Sequence, residues 1–200
     1  MRYVSGDHYF SPSPGVTARD REVAFTAGGR TFRLLASSGV FSANRLDPGT
    51  AVLLRKAPLP TGTETLLDLG CGYGAIACVL ATVAPQSTVY ATDVNERARE
   101  LTTTNAERLR ISVHTDIPDG VTFDGIWSNP PIRVGKAELH GLLDLWLPRL
   151  RSGGTAWLVV ARHLGADSLH RWLVERGWAV ERHASQQGYR VLRVRHRETG

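Results

Sequence analysis

Nine residues, Leu66-Leu67-Asp68-Leu69-Gly70-Cys71-Gly72-Tyr73-Gly74, narrow the folds open to this chain more than any other stretch. An apolar run opens into alternating glycines, and a helix-period segment follows at 74–84. That is the pattern of a buried strand feeding a tight turn and then a helix whose free N–H groups face a ligand. Downstream the alternation continues, with strand 65–69 followed by strand 88–92, helix 95–108, strands 111–114 and 123–127, helix 136–150, strand 155–161 and helix 166–176. Apolar strands alternating with helices imply an α/β fold, a mostly parallel sheet with helices on both faces.

The two ends read differently. Val23, Phe25, Phe32 and Leu34 alternate with polar neighbours around Ala27-Gly28-Gly29-Arg30, which predicts a hairpin over 23–35. Asp47-Pro48-Gly49 places a capping carboxylate before a proline and starts a helix over 50–56, which Pro58, Pro60 and Gly62 end. Gly177 stops the last helix, and Pro148 is expected to kink the final turn of helix 136–150. The runs 178–182 and 189–195, joined by a short polar loop at 184–188, read as an antiparallel hairpin at the sheet edge, which brings the expected strand count to seven. With 200 residues the chain suits one domain: residues 1–57 are a hairpin-and-helix extension of the domain whose core is 58–200.

Charge is uneven. Residues 1–57 carry +4, residues 58–150 carry −4 and residues 151–200 carry +5, with Arg outnumbering Lys by 22 to 2. Basic ends around a neutral-to-acidic middle suit a polyanion, because Arg pairs bidentately with phosphate; a solvated Arg-rich face explains the same numbers. No apolar run reaches 18 residues, so no membrane span is expected, and the residues from Met1 to His8 lack a secretory pattern, so the cytoplasm is the expected location. Cys71 and Cys78 read as reduced packing residues, and His114, His140 and His163 lack ligand spacing, so no metal is expected. Trp127 and Trp157 fall in predicted central strands and are assigned to the core. Arg190, Arg193, Arg195 and Arg197 either track phosphate or protect an edge strand from pairing.

The glycine loop, with Asp93 ending the next strand to accept ribose hydroxyls, fits S-adenosylmethionine and a dinucleotide equally, since Gly70, Gly72 and Ala75 also match the dinucleotide fingerprint. Ser128-Asn129-Pro130-Pro131-Ile132, after the apolar strand 123–127, favours the first. An exocyclic purine amine is a poor nucleophile because its lone pair is delocalised into the ring. The Asn129 side-chain carbonyl and the Pro130 main-chain carbonyl would each accept one N–H, pyramidalising the nitrogen toward a sulfonium methyl. Taken alone, Asn-Pro-Pro is also an ordinary strand-ending turn. Arg133 and Lys136, directly behind the clamp, are placed to meet a nucleotide's phosphates.

On these residues the chain resembles the methyltransferase small-domain family, whose bacterial members include ribosomal RNA guanine-N2 methyltransferases. The resemblance is carried by Ser38-Gly39-Val40-Phe41-Ser42, Leu46-Asp47-Pro48-Gly49-Thr50, residues 67–74, Asn129-Pro130-Pro131-Ile132 with Gly135-Lys136, and Gly188-Tyr189-Arg190-Val191-Leu192. It implies a Rossmann-like class I methyltransferase fold and S-adenosylmethionine as cofactor. Asp68, Gly70, Cys71, Gly72 and Gly74 would hold the methionine end, Asp93 the ribose, and Asp116 with Ile117 the adenine, with Val94 also a cofactor-binding residue. Asn129, Pro130, Pro131 and Ile132 would hold the target amine, with Asn129 also beside the cofactor, and Phe41, Arg133 and Lys136 would face the substrate. The resemblance further implies ribosomal RNA of the small-subunit type, or a ribosomal subunit, as partner.

Two departures bear on the substrate. Ile132 offers no π face where many amino-methyltransferases carry an aromatic residue, which disfavours adenine-N6 and glutamine targets. The sixty or so residues before the cofactor strand are too few for the extra N-terminal domain of some family members. Substrate recognition then falls to the hairpin, the Arg-rich edge or a partner subunit in a homodimer. The alternatives left open are methylation of a protein glutamine or small-molecule amine, a nicotinamide-dependent oxidoreductase, and a non-enzymatic RNA-binding module.

Overall fold

In the computed structural model, which describes residues 20–37, 40, 45–131 and 135–197, most of the apolar runs become strands whose alternate side chains go to opposite faces. A hairpin comes first, β1 (Asp20–Ala27) and β2 (Arg30–Ser37), then α1 (Pro48–Lys56). The alternating unit follows as β3 (Thr65–Leu69), α2 (Ala75–Val83), β4 (Thr88–Thr92), α3 (Glu96–Leu109), β5 (Phe123–Ser128) and α4 (Lys136–Trp146). Last come β6 (Leu150–Ala161), α5 (Ala166–Glu175), β7 (Trp178–Gln186) and β8 (Tyr189–His196).

Strands β3 to β8 form one sheet in the order β4-β3-β5-β6-β8-β7. The pairs β3–β4, β3–β5 and β5–β6 are parallel, and β8 lies antiparallel between β6 and β7. Order reverses beside β3, so the carboxyl ends of β3 and β5 open onto a crevice where ligands bind in such sheets. Leu66, Trp127, Trp157, Val159 and Val191 face α1, α2, α3 and the hairpin, whereas Leu67, Ile126, Leu158, Leu192 and Val194 face α4 and α5. Trp127 and Trp157 are thus core residues.

The expectation of seven strands in the main sheet is corrected to six among the described residues. Residues 111–114 make only a single bridge, His114 to Tyr90, on the outer side of β4. The cause is local. Helix α3 ends at Arg110 in the left-handed conformation, and the Ile111 N–H is still bonded to the Ala106 carbonyl, so the chain reaches β4 only at His114. Helix 136–150 likewise ends at Trp146, and a 3-10 turn at Leu147–Arg149 carries Pro148, which has no N–H to continue the helical ladder. The closing hairpin is tighter than expected, because Gln187 and Gly188 both take positive φ and Gln186 pairs directly with Tyr189.

One buried side chain ties the hairpin to the glycine loop. Asn105, on α3, accepts from the Leu35 N–H at 2.7 Å and donates to the carbonyls of Leu35 at 2.8 Å and Tyr73 at 2.9 Å. Three main-chain groups depend on one amide. Asn105→Ala is expected to cost about 3 kcal/mol, since buried partners left unpaired cost about 1 kcal/mol or more each, and urea unfolding measures it. A loss under about 1 kcal/mol would contradict this role.

Candidate active site

The strand-to-helix turn after β3 is built on glycines at positive φ, Gly70, Gly72 and Gly74. Gly74 is required twice over. Its φ of 84° suits a residue without Cβ, and a Cβ there would lie 2.9 Å from Thr102 Cγ2 on α3, which packs against the loop. Asp93, at the end of β4, locks the loop from the other side: Oδ2 accepts from the Gly72 N–H at 3.0 Å and Oδ1 from the Asn95 N–H at 2.9 Å. Burial raises its pKa against those hydrogen bonds. Val94, next along, is 50% exposed.

Beneath the loop, Asp68 is fully buried; Oδ2 accepts from the Ala77 N–H at 2.9 Å, and Oδ1 has no partner. The Tyr73 hydroxyl is also buried without a partner, its pKa pushed up by burial and by nearby Asp47. These orphaned polar atoms on the loop side fit a polar ligand group such as the charged methionine end of S-adenosylmethionine. Asp116 is exposed in the turn after His114, and Ile117 is half-buried against the core on the α4 and α5 side of the sheet.

Burial raises the pKa of Asp68 from 3.8 to about 7. Because the folded value lies above the unfolded one, this carboxyl's contribution to stability falls as pH rises from about 4 to about 7, by on the order of 4 kcal/mol over the window. Asp68→Asn keeps an acceptor for Ala77 and removes the titration. The variant is expected to gain on the parent in denaturant unfolding at pH 8 relative to pH 5; an equal difference at both pH values would contradict the assignment.

Asn129 stands at the carboxyl end of β5, and its neighbour Ser128 anchors the strand by donating to the Leu69 carbonyl at 2.7 Å. Asn129 and the glycine loop line one depression, together with Asp47, Thr50, Tyr73 and Ile76. The Asn129 Nδ2 donates to Asp47 Oδ1 at 2.6 Å and to Thr50 Oγ1 at 3.0 Å. Pro130 is buried and Pro131 half-buried. Phe41, Ile132 and Arg133 lie outside the described residues. Lys136 is exposed at the start of α4 and lines a separate cavity between α4 and α5 with Gly135, His140 and Ser168.

Sequence reasoning missed Asp47 and Thr50 as members of the site. Asp47 was legible as a helix cap, which it is, accepting from the Thr50 N–H at 3.0 Å; nothing local signals a partner 82 residues away. Three of the four edge arginines are engaged within the fold: Arg190 pairs with Asp167, as does Arg182 on β7, Arg193 pairs with Glu181, and Arg197 donates to the Val174 carbonyl. Among the described residues no cluster of three His, Cys, Asp or Glu is placed to hold a metal, and no helix is long and apolar enough to cross a membrane.

The sequence profile of the methyltransferase small domain matches residues 31–193. An uncharacterised Bacillus subtilis protein, YbxB, is 32% identical over 94% of this chain and 98% of its own length. The ribosomal RNA small subunit methyltransferase C of Hahella chejuensis is 35% identical over 67% of this chain, which spans only 42% of that protein. A 16S rRNA guanine-N2 methyltransferase of T. thermophilus, solved with S-adenosylmethionine and guanosine, superposes with a TM-score of 0.77 at 24% identity, covering 92% of this chain and 52% of that one.

Proposed function

Because the chain belongs to the methyltransferase small-domain family and is an S-adenosylmethionine-dependent methyltransferase, we propose that its acceptor is guanine N2 in ribosomal RNA, of the small-subunit type. The observation that carries this reading is the meeting of Asn129 with the glycine loop in one depression. A methyl acceptor held by Asn129 is thereby next to a donor held by the loop. The cofactor, when bound, supplies an electrophilic methyl on a sulfonium.

The work left to the protein is placement. Asn129 Oδ1 and the Pro130 carbonyl take one N–H each from the amine, and neither Pro130 nor Pro131 has an N–H to compete as a donor. Holding the nitrogen this way localises its lone pair toward the methyl. The positive charge that the amine nitrogen would gain on taking a methyl group would be stabilised by these two carbonyl oxygens, and the proton it sheds would pass to water. Asp68 and the glycine loop are assigned to the methionine end, Asp93 and Val94 to the adenosine, and Lys136 to a phosphate of the substrate strand. Basic charge at both ends of the chain supports a polyanionic substrate.

The test is the fate of a labelled methyl group. Incubation with methyl-labelled S-adenosylmethionine, ribosomal RNA and ribosomal protein is expected to label the RNA fraction. Label confined to protein would overturn the RNA assignment in favour of a glutamine or other protein amide.

A further inference from the structure

The geometry points to Asp47 as the residue that orients the acceptor clamp, a positioning role that rests on the reading of Asn129 given above. A carboxamide has two faces of nearly equal shape and opposite character, a carbonyl that accepts and an amino group that donates. A half-turn about its terminal torsion, which is broad and two-fold, would present the donating face to an incoming amine and abolish the clamp. Asp47 removes that choice. Its Oδ1 lies 2.6 Å from Asn129 Nδ2, and Thr50 Oγ1 lies 3.0 Å from the same nitrogen. Both amide hydrogens are used. With the amide reversed, two oxygen acceptors would face each other at that distance with no proton between them.

The carboxylate is itself held in place. The same Oδ1 caps α1 through the Thr50 N–H, so Asp47 is fixed by a helix terminus on one side while it fixes Asn129 on the other. Gly49 gives it room: a Cβ there would stand 2.9 Å from Asp47 Oδ1 and 2.9 Å from the Tyr189 ring. The segment before the cofactor strand thus reaches the chemistry through one charged hydrogen bond, of the stronger kind. It selects for N–H donors over carbonyl oxygens, the exocyclic amine of guanine rather than its O6.

Capping and orienting can be separated. Asp47→Ser retains a good cap but is too short to reach Asn129; it is expected to keep cofactor affinity and Tm while kcat falls about 100-fold with KM for RNA little changed. Asp47→Asn, whose amide oxygen can serve both Thr50 and Asn129, is expected to recover most of that loss. Asn129→Asp sets two carboxylates against each other and is expected to be nearly inactive at pH 7; adding Asp47→Asn restores a donor and should raise turnover at least about tenfold. Losses that simply add in the double variant, or parental turnover in Asp47→Ser, would overturn the proposal.

A second readout does not depend on the substrate. In ¹⁵N NMR the Asn129 side-chain amide protons should exchange slowly in the parent and rapidly in Asp47→Ser, and unchanged exchange would sink the orienting role. Should the parent methylate no RNA, the guanine assignment fails while this measurement still decides the role of Asp47.

Discussion

Asn129→Ala is expected to lower turnover by roughly 100- to 1,000-fold while leaving the affinity for S-adenosylhomocysteine within about twofold of the parent. The split follows from where the side chain stands. It lines the depression shared with the glycine loop, yet its own hydrogen bonds run to Asp47 and Thr50 on α1 and to none of the loop residues. Removing it takes away an acceptor for the amine and a source of stabilisation for charge that exists only during transfer, so the loss belongs in kcat. Stopped-flow single-turnover kinetics, paired with calorimetric titration of the product cofactor, separates the two quantities. Turnover within tenfold of the parent would remove Asn129 from the chemistry, and a parallel collapse of cofactor affinity would make it a cofactor residue instead.

Asp93→Ala carries the second large effect, and here binding is what fails. Both carboxylate oxygens hold main-chain N–H groups, of Gly72 in the loop and of Asn95 at the start of α3, so the side chain sets the loop before it meets any ligand. The affinity for S-adenosylhomocysteine is expected to drop about 100-fold, with about 1–3 kcal/mol lost from stability. A ribose contact leaves a further signature. If Asp93 accepts from the ribose hydroxyls, the penalty for a 2′,3′-dideoxy analogue in the parent should largely vanish in the variant, as in a double-mutant cycle. An undiminished penalty would leave Asp93 as a clip on the loop alone.

Local physics made most of this architecture readable. Strands β3 and β4 appear at the expected residues because five-residue apolar runs bounded by polar or glycine turns have few alternatives once helices flank them. Gly177 at positive φ ends α5, and Asp47 caps α1, both as the residue types demand. The differences arise where a neighbour decides. Residues 111–114 have strand-like composition, but the Ile111 N–H remains bound to the preceding helix, which leaves one bridging residue. Strand β6 begins at Leu150, five residues before its expected start, because Phe123 pairs with Leu150 across a register shift while Gly125 pairs with Thr155.

The candidate site divides the same way. The glycine loop, Asp93 and Asn129 announce themselves because each sits at a strand end, where the chain changes direction and main-chain groups turn outward. Asp47 and Thr50 do not, since their contact with Asn129 joins segments whose proximity depends on the whole sheet being assembled. Asn105 is hidden for the same reason: within a helical run it looks like a polar surface residue, and only the docked hairpin reveals that it is fully buried and fully bonded. The arginines of β7 and β8 show the converse, a charge pattern that invites a phosphate reading but whose members largely find carboxylates inside the fold.

The central claim is methyl transfer to the exocyclic amine of guanine in RNA. It is tested most directly by incubating the protein with methyl-labelled S-adenosylmethionine and unmodified small-subunit ribosomal RNA, naked and in assembled particles, then digesting to nucleosides and resolving them by chromatography. Label in N2-methylguanosine is the predicted result; label in another nucleoside, or none in any RNA fraction, would contradict it.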